Sequence, residues 1–206
     1  MRLFCQLRSL GTLAASLSLI ALFTSCHTTP AHADTTLVSS QGEVEAQPLL
    51  LQESEGERRV HRPPPAALSN LAAPFIIKLD RRNGGAPEFV MLMEDIAPGQ
   101  TIPPHKHPHS DEILFVRDGT GLAVLGGKEA KVLPGATIYM PRNTSVRLQN
   151  TGTQPLRIIA IFSQPGYENY MREISVPEGE AAKPLTVEEL TAIRARYHAE
   201  VVYDHP

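Results

Sequence analysis

Residues 99–119 read GQTIPPHKHPHSDEILFVRDG, and this stretch predicts both the fold and the chemistry of the chain. His105 and His107 are two positions apart, so on an extended segment their side chains point to the same side. Glu112 opens the next predicted strand, so its carboxylate can return beside the two imidazoles. This donor set suits iron(II), manganese, nickel, copper or zinc. The stretch therefore predicts a site for one divalent transition metal, with a solvated polar loop as the alternative.

Short β-prone runs separated by turns surround this stretch. Gly or Pro stands in each turn, as in antiparallel sandwiches and small barrels. The predicted strands are Phe75–Leu79, Glu88–Asp95, Glu112–Val116, Gly121–Leu125, Thr137–Met140, Ser145–Asn150 and Leu156–Phe162. We therefore expect an all-β barrel or sandwich over residues 71–176. Alternation in the run that begins at Ser145 places Val146 and Leu148 on the buried face.

The two flanks of the β region differ from it in composition. Residues 34–70 are rich in acidic residues and contain three consecutive prolines, so we expect a flexible linker. In the C-terminal tail, residues 177–206, Thr186 and Glu189 have the spacing of a capping box. They predict a helix over 187–198 that packs against the β region.

Residues 1–33 have the features of a secretory signal peptide. Arg2 and Arg8 precede the uncharged apolar run Leu10–Phe23, which is shorter than the ~20 residues that a membrane span needs. The segment ends in Ala-His-Ala, a small-x-small cleavage site, and contains Phe-Thr-Ser-Cys26, which resembles a bacterial lipoprotein box. We expect export to the periplasm or cell envelope, or secretion, with membrane attachment through lipidated Cys26 as the alternative to a free form.

Charge and cysteine content exclude several functions. The 206 residues carry 19 Lys and Arg against 22 Asp and Glu, a net charge of −3 without a basic stripe, so we expect no nucleic-acid partner. Both cysteines, Cys5 and Cys26, lie in the predicted leader. The mature chain would then have neither a disulfide nor a thiol nucleophile.

The quoted stretch resembles the first motif of the cupin superfamily. Every fixed position of that motif is filled, by Gly99, His105, His107, Glu112 and Gly119. The resemblance extends from about residue 75 to residue 162 and implies a double-stranded β-helix, or jelly-roll, barrel with the site inside. It also implies that His105, His107 and Glu112 hold the metal, and a homodimer, since cupin barrels commonly pair. In an enzyme, Glu112 is the candidate catalytic residue, either as a ligand or as a base that moves off the metal.

The second cupin motif is only partly present. Gly135 and Asn150 match it, and Asn143 stands where a second Gly is usual. Asn tolerates the left-handed conformation better than most residues do. The His that usually supplies a fourth ligand is replaced by Val146, which cannot bind a metal. His109 is either a replacement for that ligand or an exposed loop residue.

Three functions stay open at this point. Three protein ligands leave positions on a metal for substrate, and residues 166–168 with the tail are loosely similar to quercetin-dioxygenase-like single-domain bacterial cupins. Both features favour a metal-dependent (di)oxygenase acting on a small organic substrate. Val146 and the lipoprotein-like Cys26 favour a non-catalytic envelope protein that binds a small molecule or a metal. The third interpretation is a structural envelope protein in which the histidine cluster is a relic.

Overall fold

A computed structural model of the chain describes residues 48–65, 74–83 and 88–204. The chain divides after Gly42 into two units, and all described residues belong to the second unit. They form twelve strands and two helices, so the predicted all-β jelly roll with a C-terminal helix is confirmed. No helix in these ranges is both long enough and apolar enough to span a membrane. The predicted leader, with Cys26, lies outside the described residues.

The elements follow one another along the chain with short connections. In chain order they are β1 (Glu57–His61), β2 (Pro74–Leu79), β3 (Val90–Ile96), β4 (Thr101–Lys106), β5 (Glu112–Asp118), β6 (Gly121–Leu125), β7 (Lys128–Val132), β8 (Thr137–Met140), β9 (Val146–Asn150), β10 (Leu156–Phe162), α1 (Tyr167–Glu173), β11 (Ser175–Pro177), α2 (Val187–Arg196) and β12 (Val202–Tyr203).

The strands make two antiparallel sheets whose inner faces share one hydrophobic core. The larger sheet has the strand order β11-β1-β2-β3-β10-β5-β8, and the smaller sheet has the order β12-β4-β9-β6-β7. Side chains alternate between the two faces of a strand. On β9 this alternation buries Val146 and Leu148, as the sequence predicts.

Strand β1 lies inside the stretch 34–70, so the prediction of a linker does not hold for Glu57–His61. The strand pairs with β2 on one side and β11 on the other. Arg59 Nε donates to Ser175 Oγ at 2.7 Å, and Arg172 Nε donates to Glu57 Oε2 at 2.9 Å. These partners are 116 and 115 positions away along the chain. Local composition therefore gives no sign of this strand.

Both helices follow β10 along the chain: α1 lies at the end of the predicted barrel region, 71–176, and α2 lies in the tail. Helix α2 confirms the predicted helix, although it ends at Arg196. The backbone N–H of Glu189 donates to Thr186 Oγ1 at 3.1 Å, and the backbone N–H of Thr186 donates to Glu189 Oε2 at 2.9 Å, which completes the capping box. Leu190 and Ile193 are buried, so α2 packs on the rest of the described fold through its apolar face.

Candidate metal centre

Strand β4 carries His105 into the barrel even though two prolines precede this histidine. Pro103 and Pro104 cannot donate ladder hydrogen bonds, and the pairing of β4 with β9 shifts its register between Ile102 and His105. On the other edge of β4, the backbone N–H of Asp204 donates to the carbonyl of Pro104 at 3.1 Å. Prolines argue against a strand in the sequence, which is why β4 is absent from the predicted set.

The structure brings His105, His107 and Glu112 together inside the barrel. Their exposed fractions are 6%, 4% and 4%. One donor atom from each residue lies within 4.8 Å of the other two. The two imidazole rings are 5.1 Å apart and nearly perpendicular, and Glu112 is the first inward-facing residue of β5. The three side chains therefore converge as the spacing of the motif predicts.

Backbone carbonyls fix the position of the proton on both imidazoles. Nδ1 of His105 is 2.8 Å from the carbonyl oxygen of Pro103, and Nδ1 of His107 is 2.7 Å from that of Glu200. A carbonyl oxygen only accepts, so each neutral ring carries its proton on Nδ1 and keeps a lone pair on Nε2. Histidines that bind metals through Nε2 are held in this way.

Two buried atoms of the cluster have no hydrogen-bond partner among the described residues. They are Nε2 of His107 and Oε2 of Glu112, and they are 3.4 Å apart. Two donors each about 2.1 Å from one ion at a tetrahedral angle would also be ~3.4 Å apart. An unpaired buried polar atom costs about 1–3 kcal/mol. A divalent metal held by His105, His107 and Glu112 would satisfy both atoms, so the residues fit such a cation.

The surroundings keep the three groups uncharged when no cation is present. Burial, with a contribution from Glu94, raises the pKa of Glu112 to about 8. Burial, with repulsion from His105, lowers the pKa of His107 to about 3, and burial also lowers the pKa of His105. Both imidazoles are therefore in the neutral form that ligates metals, and a cation would replace the proton of Glu112.

The position of the usual fourth ligand is an apolar wall. Val146 is 2% exposed, lies opposite His105 in the pairing of β9 with β4, and lines the cavity beside the cluster. His109 is exposed and does not belong to the donor cluster that the described residues form. Of the two alternatives for His109, the structure therefore shows the exposed loop residue.

A second acid–imidazole pair lines the same cavity and is not predicted from the sequence. Oε1 of Glu94 is 3.3 Å from Nε2 of His61, and the two side chains are 12% and 5% exposed. Glu94 lies on the face of β3 that also buries Val90, Leu92 and Ile96. The alternation of apolar residues along β3 is the sequence signal that could have predicted an inward-facing carboxylate at Glu94.

The cavity between these groups has a volume of about 80 Å³ and is lined mainly by apolar and aromatic side chains. Part of the lining comes from α1, which supplies Tyr167 and Tyr170, and part from the tail, which supplies Arg194 and Tyr203. The hydroxyl of Tyr170 donates to that of Tyr203 at 3.2 Å. Burial raises the pKa of Tyr203 well above its usual range, so its hydroxyl stays protonated. The cavity therefore offers few polar groups at defined places, as small-molecule sites do.

Comparison with known proteins finds similarity over the same region. Residues 92–162 match the model of the cupin domain family. An uncharacterized protein of Methanocaldococcus jannaschii is 38% identical over 84 residues, which are 40% of this chain and 66% of that protein. The tetracenomycin polyketide synthase protein TcmJ of Streptomyces glaucescens is 24% identical over 117 residues, 51% of this chain and 74% of that protein. A crystal structure of a predicted oxalate decarboxylase from Thermotoga maritima is 19% identical, with a TM-score of 0.49 over 57% of this chain and 100% of that chain.

Proposed function

Because residues 92–162 form a cupin domain and the chain belongs to the cupin superfamily, we propose that it binds one divalent transition metal through His105, His107 and Glu112. The observation that carries this proposal is the pair of unpartnered buried atoms, Nε2 of His107 and Oε2 of Glu112, 3.4 Å apart. Iron, manganese, nickel, copper and zinc all accept this donor set.

The reaction that we propose is a (di)oxygenase-like oxidation of a small organic substrate. Two histidines and one carboxylate with open coordination positions are the donor set of non-haem iron(II) oxygenases. When bound, the metal would supply a binding position for dioxygen or for oxygens of the substrate. Val146 and the other apolar lining residues would hold the hydrocarbon part and exclude water.

Two carboxylates are available to handle protons in this cavity. Glu94 is held by His61 and lines the cavity, so it would accept a proton from a bound molecule at its carboxylate. Glu112 is the catalytic candidate, because in the same reaction it would either stay on the metal or leave it to act as a base. Substituting Glu94 tests the first role without removing a proposed ligand.

Metal analysis of purified protein from metal-replete medium tests the binding proposal. We expect about one equivalent of a single transition metal in the wild type and its loss in His105→Ala. A wild-type content below about a tenth of an equivalent would contradict the proposal and favour the relic interpretation.

A non-catalytic binding protein is the second candidate function. The apolar Val146 at the usual ligand position and the cavity of about 80 Å³ both favour it, because they leave little room for two reactants beside the metal. Oxygen uptake by the metal-loaded protein with a panel of flavonols, thiols and diketones separates the two candidates. Uptake that requires Glu112 supports the enzyme, whereas ligand binding without uptake supports the binding protein.

We also propose that the chain is exported and that residues 1–33 are removed or that Cys26 is lipidated. The support is the pattern of the sequence itself: an arginine-flanked apolar run followed by two candidate processing sites. The intact mass of the chain from fractionated cells tests this proposal. A mature chain that begins at Asp34, or a lipid-modified chain that begins at Cys26, would support it, and a full-length cytosolic chain would contradict it.

A second copy of the chain is the partner that we propose for the outer face of the larger sheet. Cross-strand pairing places one row of outward-facing side chains side by side there, namely Met91, Ile161, Ile113 and Tyr139. Ile113 and Tyr139 are 40% and 61% exposed. With Phe115 in the next row, 38% exposed, these side chains would form the apolar centre of an interface, which usually buries about 800 Å² per partner. We expect Ile113→Asp to sediment as a monomer and Val187→Asp as a dimer, and a monomeric wild type would contradict the proposal.

A further inference from the structure

We propose that the C-terminal segment 197–204 is a positioning element of the metal centre, beyond its role as a cover on the barrel. This inference rests on the proposed metal site, but it concerns residues outside the matched cupin domain, 92–162. The segment holds one ligand by a hydrogen bond and packs on the other. The name tail segment refers to residues 197–204 only.

The two histidines obtain their carbonyl partners from different parts of the chain. His105 is held by Pro103, two positions away on its own strand. His107 is held by the carbonyl of Glu200, 93 positions away, with Nδ1 and the oxygen 2.7 Å apart. Because this carbonyl keeps the proton on Nδ1, it directs the lone pair on Nε2 toward Glu112. The tail segment therefore determines which nitrogen of His107 is free to bind a cation.

The carbonyl of Glu200 is held in place by the turn that follows α2. The backbone N–H groups of Glu200 and Val201 both donate to the carbonyl of Tyr197 at 3.0 Å. Val201 is 1% exposed and belongs to the hydrophobic core. Burial of Val201 thus anchors the residue directly after the carbonyl.

Strand β12 joins the tail segment to the strand that carries His105. Val202 pairs with Lys106, and Tyr203 pairs with His105. The ring of Tyr203 is 5.7 Å from the imidazole of His105, at an angle of 33°. The guanidinium of Arg194 lies over the same tyrosine ring, 4.2 Å from its centre. The tail segment therefore restricts the orientation of both imidazoles.

The position of the proton on His107 tests this inference in the metal-free wild-type chain. We expect long-range ¹H–¹⁵N spectra of the histidine side chains, assigned with His107→Asn, to show His107 protonated on Nδ1 only. A ring protonated on Nε2 would overturn the inference. This measurement needs no metal, so it stays informative even if metal analysis contradicts the proposed function.

Undocking the tail segment tests the same inference through metal binding. Val201→Asp places a charge at the buried anchor, and Val187→Asp makes the same exchange at a position on α2 that is 50% exposed. We expect Val201→Asp to bind Zn²⁺ about 10–100-fold more weakly and to give a mixture of His107 tautomers. Val187→Asp and the conservative Val201→Ile should match the wild type.

Wild-type Zn²⁺ affinity and tautomer in a folded Val201→Asp protein would overturn the inference. If Val201→Asp does not fold, the wild-type tautomer decides the question alone.

Discussion

Two walls of one cavity each carry an acid and an imidazole, and the two pairs differ in whether their facing atoms are satisfied. At the wall of β3, Glu94 lies 3.3 Å from Nε2 of His61, and the two side chains satisfy each other. At the wall of β5, Glu112 faces Nε2 of His107. The proton of that imidazole lies on Nδ1, where it is donated to the carbonyl of Glu200. Neither atom of that second pair has a hydrogen-bond partner in the described structure. The carbonyl of Glu200 on Nδ1 therefore leaves Nε2 of His107 available for a cation, whereas Nε2 of His61 is already held by Glu94.

Removing the imidazole that faces Glu112 should have the largest effect on metal affinity. We expect His107→Ala to weaken Zn²⁺ binding by more than about 100-fold, since loss of an outer-shell partner alone costs 10–100-fold. Competition titration with a coloured chelator measures this change. His109→Ala is the matched control in the same segment, because His109 is exposed, and it should bind Zn²⁺ as the wild type does. Equal losses of Zn²⁺ affinity in the two variants would show that the buried His107 contributes no more to metal binding than the exposed His109.

Adding a donor on β9, opposite His105, should have the next largest effect. Val146→His places an imidazole opposite His105, and we expect about tenfold tighter Zn²⁺ binding, or about 1.4 kcal/mol. The larger side chain should also lower the free energy of unfolding of the metal-free protein by about 1–3 kcal/mol. Val146→Leu keeps the wall apolar and should not tighten binding. An unchanged affinity in Val146→His would mean that position 146 does not face the metal.

The wall of β3 should behave as a coupled pair in the metal-free protein. His61→Ala leaves Glu94 buried without its partner, so the free energy of unfolding should fall by about 1–3 kcal/mol. In a double-mutant cycle with Glu94→Gln, we expect a coupling energy of about 1 kcal/mol from urea denaturation. Strictly additive effects would show that the contact does not stabilise the protein.

The smallest effect should be that of Glu94→Gln on metal affinity. Because Glu94 is satisfied by His61 and does not belong to the donor cluster, the variant should bind Zn²⁺ within about twofold of the wild type. Calorimetry on both proteins measures this difference. If Glu94→Gln loses the metal, the two walls are one site and their comparison fails.

The sequence predicts the parts of the fold that depend on neighbouring residues. Gly and Pro in the turns locate the strands of the barrel, and the capping box of Thr186 locates α2. Asn143 has a φ of 65°, so it adopts the left-handed conformation expected where the motif usually has Gly. Edge strands are harder to predict: β7 is exposed at four of its five positions, so its pattern lacks the apolar alternation of an inner strand.

In the candidate site, too, the sequence predicts the contacts between neighbouring residues and not those between distant ones. His105, His107 and Glu112 lie within a few positions of one another, so their convergence follows from strand geometry. Glu200 contributes through its backbone carbonyl, which no residue type reveals. His61 reaches Glu94 across 33 positions, from a stretch whose charges and prolines predict a linker. These contacts depend on tertiary packing, so sequence patterns do not indicate them.

The most direct test of the central claim is anomalous diffraction from crystals of the Zn²⁺-loaded wild-type protein, with data on both sides of the zinc absorption edge. The account predicts one strong peak inside the barrel, about 2.0–2.2 Å from Nε2 of His105, Nε2 of His107 and a carboxylate oxygen of Glu112. A barrel without that peak, or zinc bound only at surface groups such as His109, would contradict it.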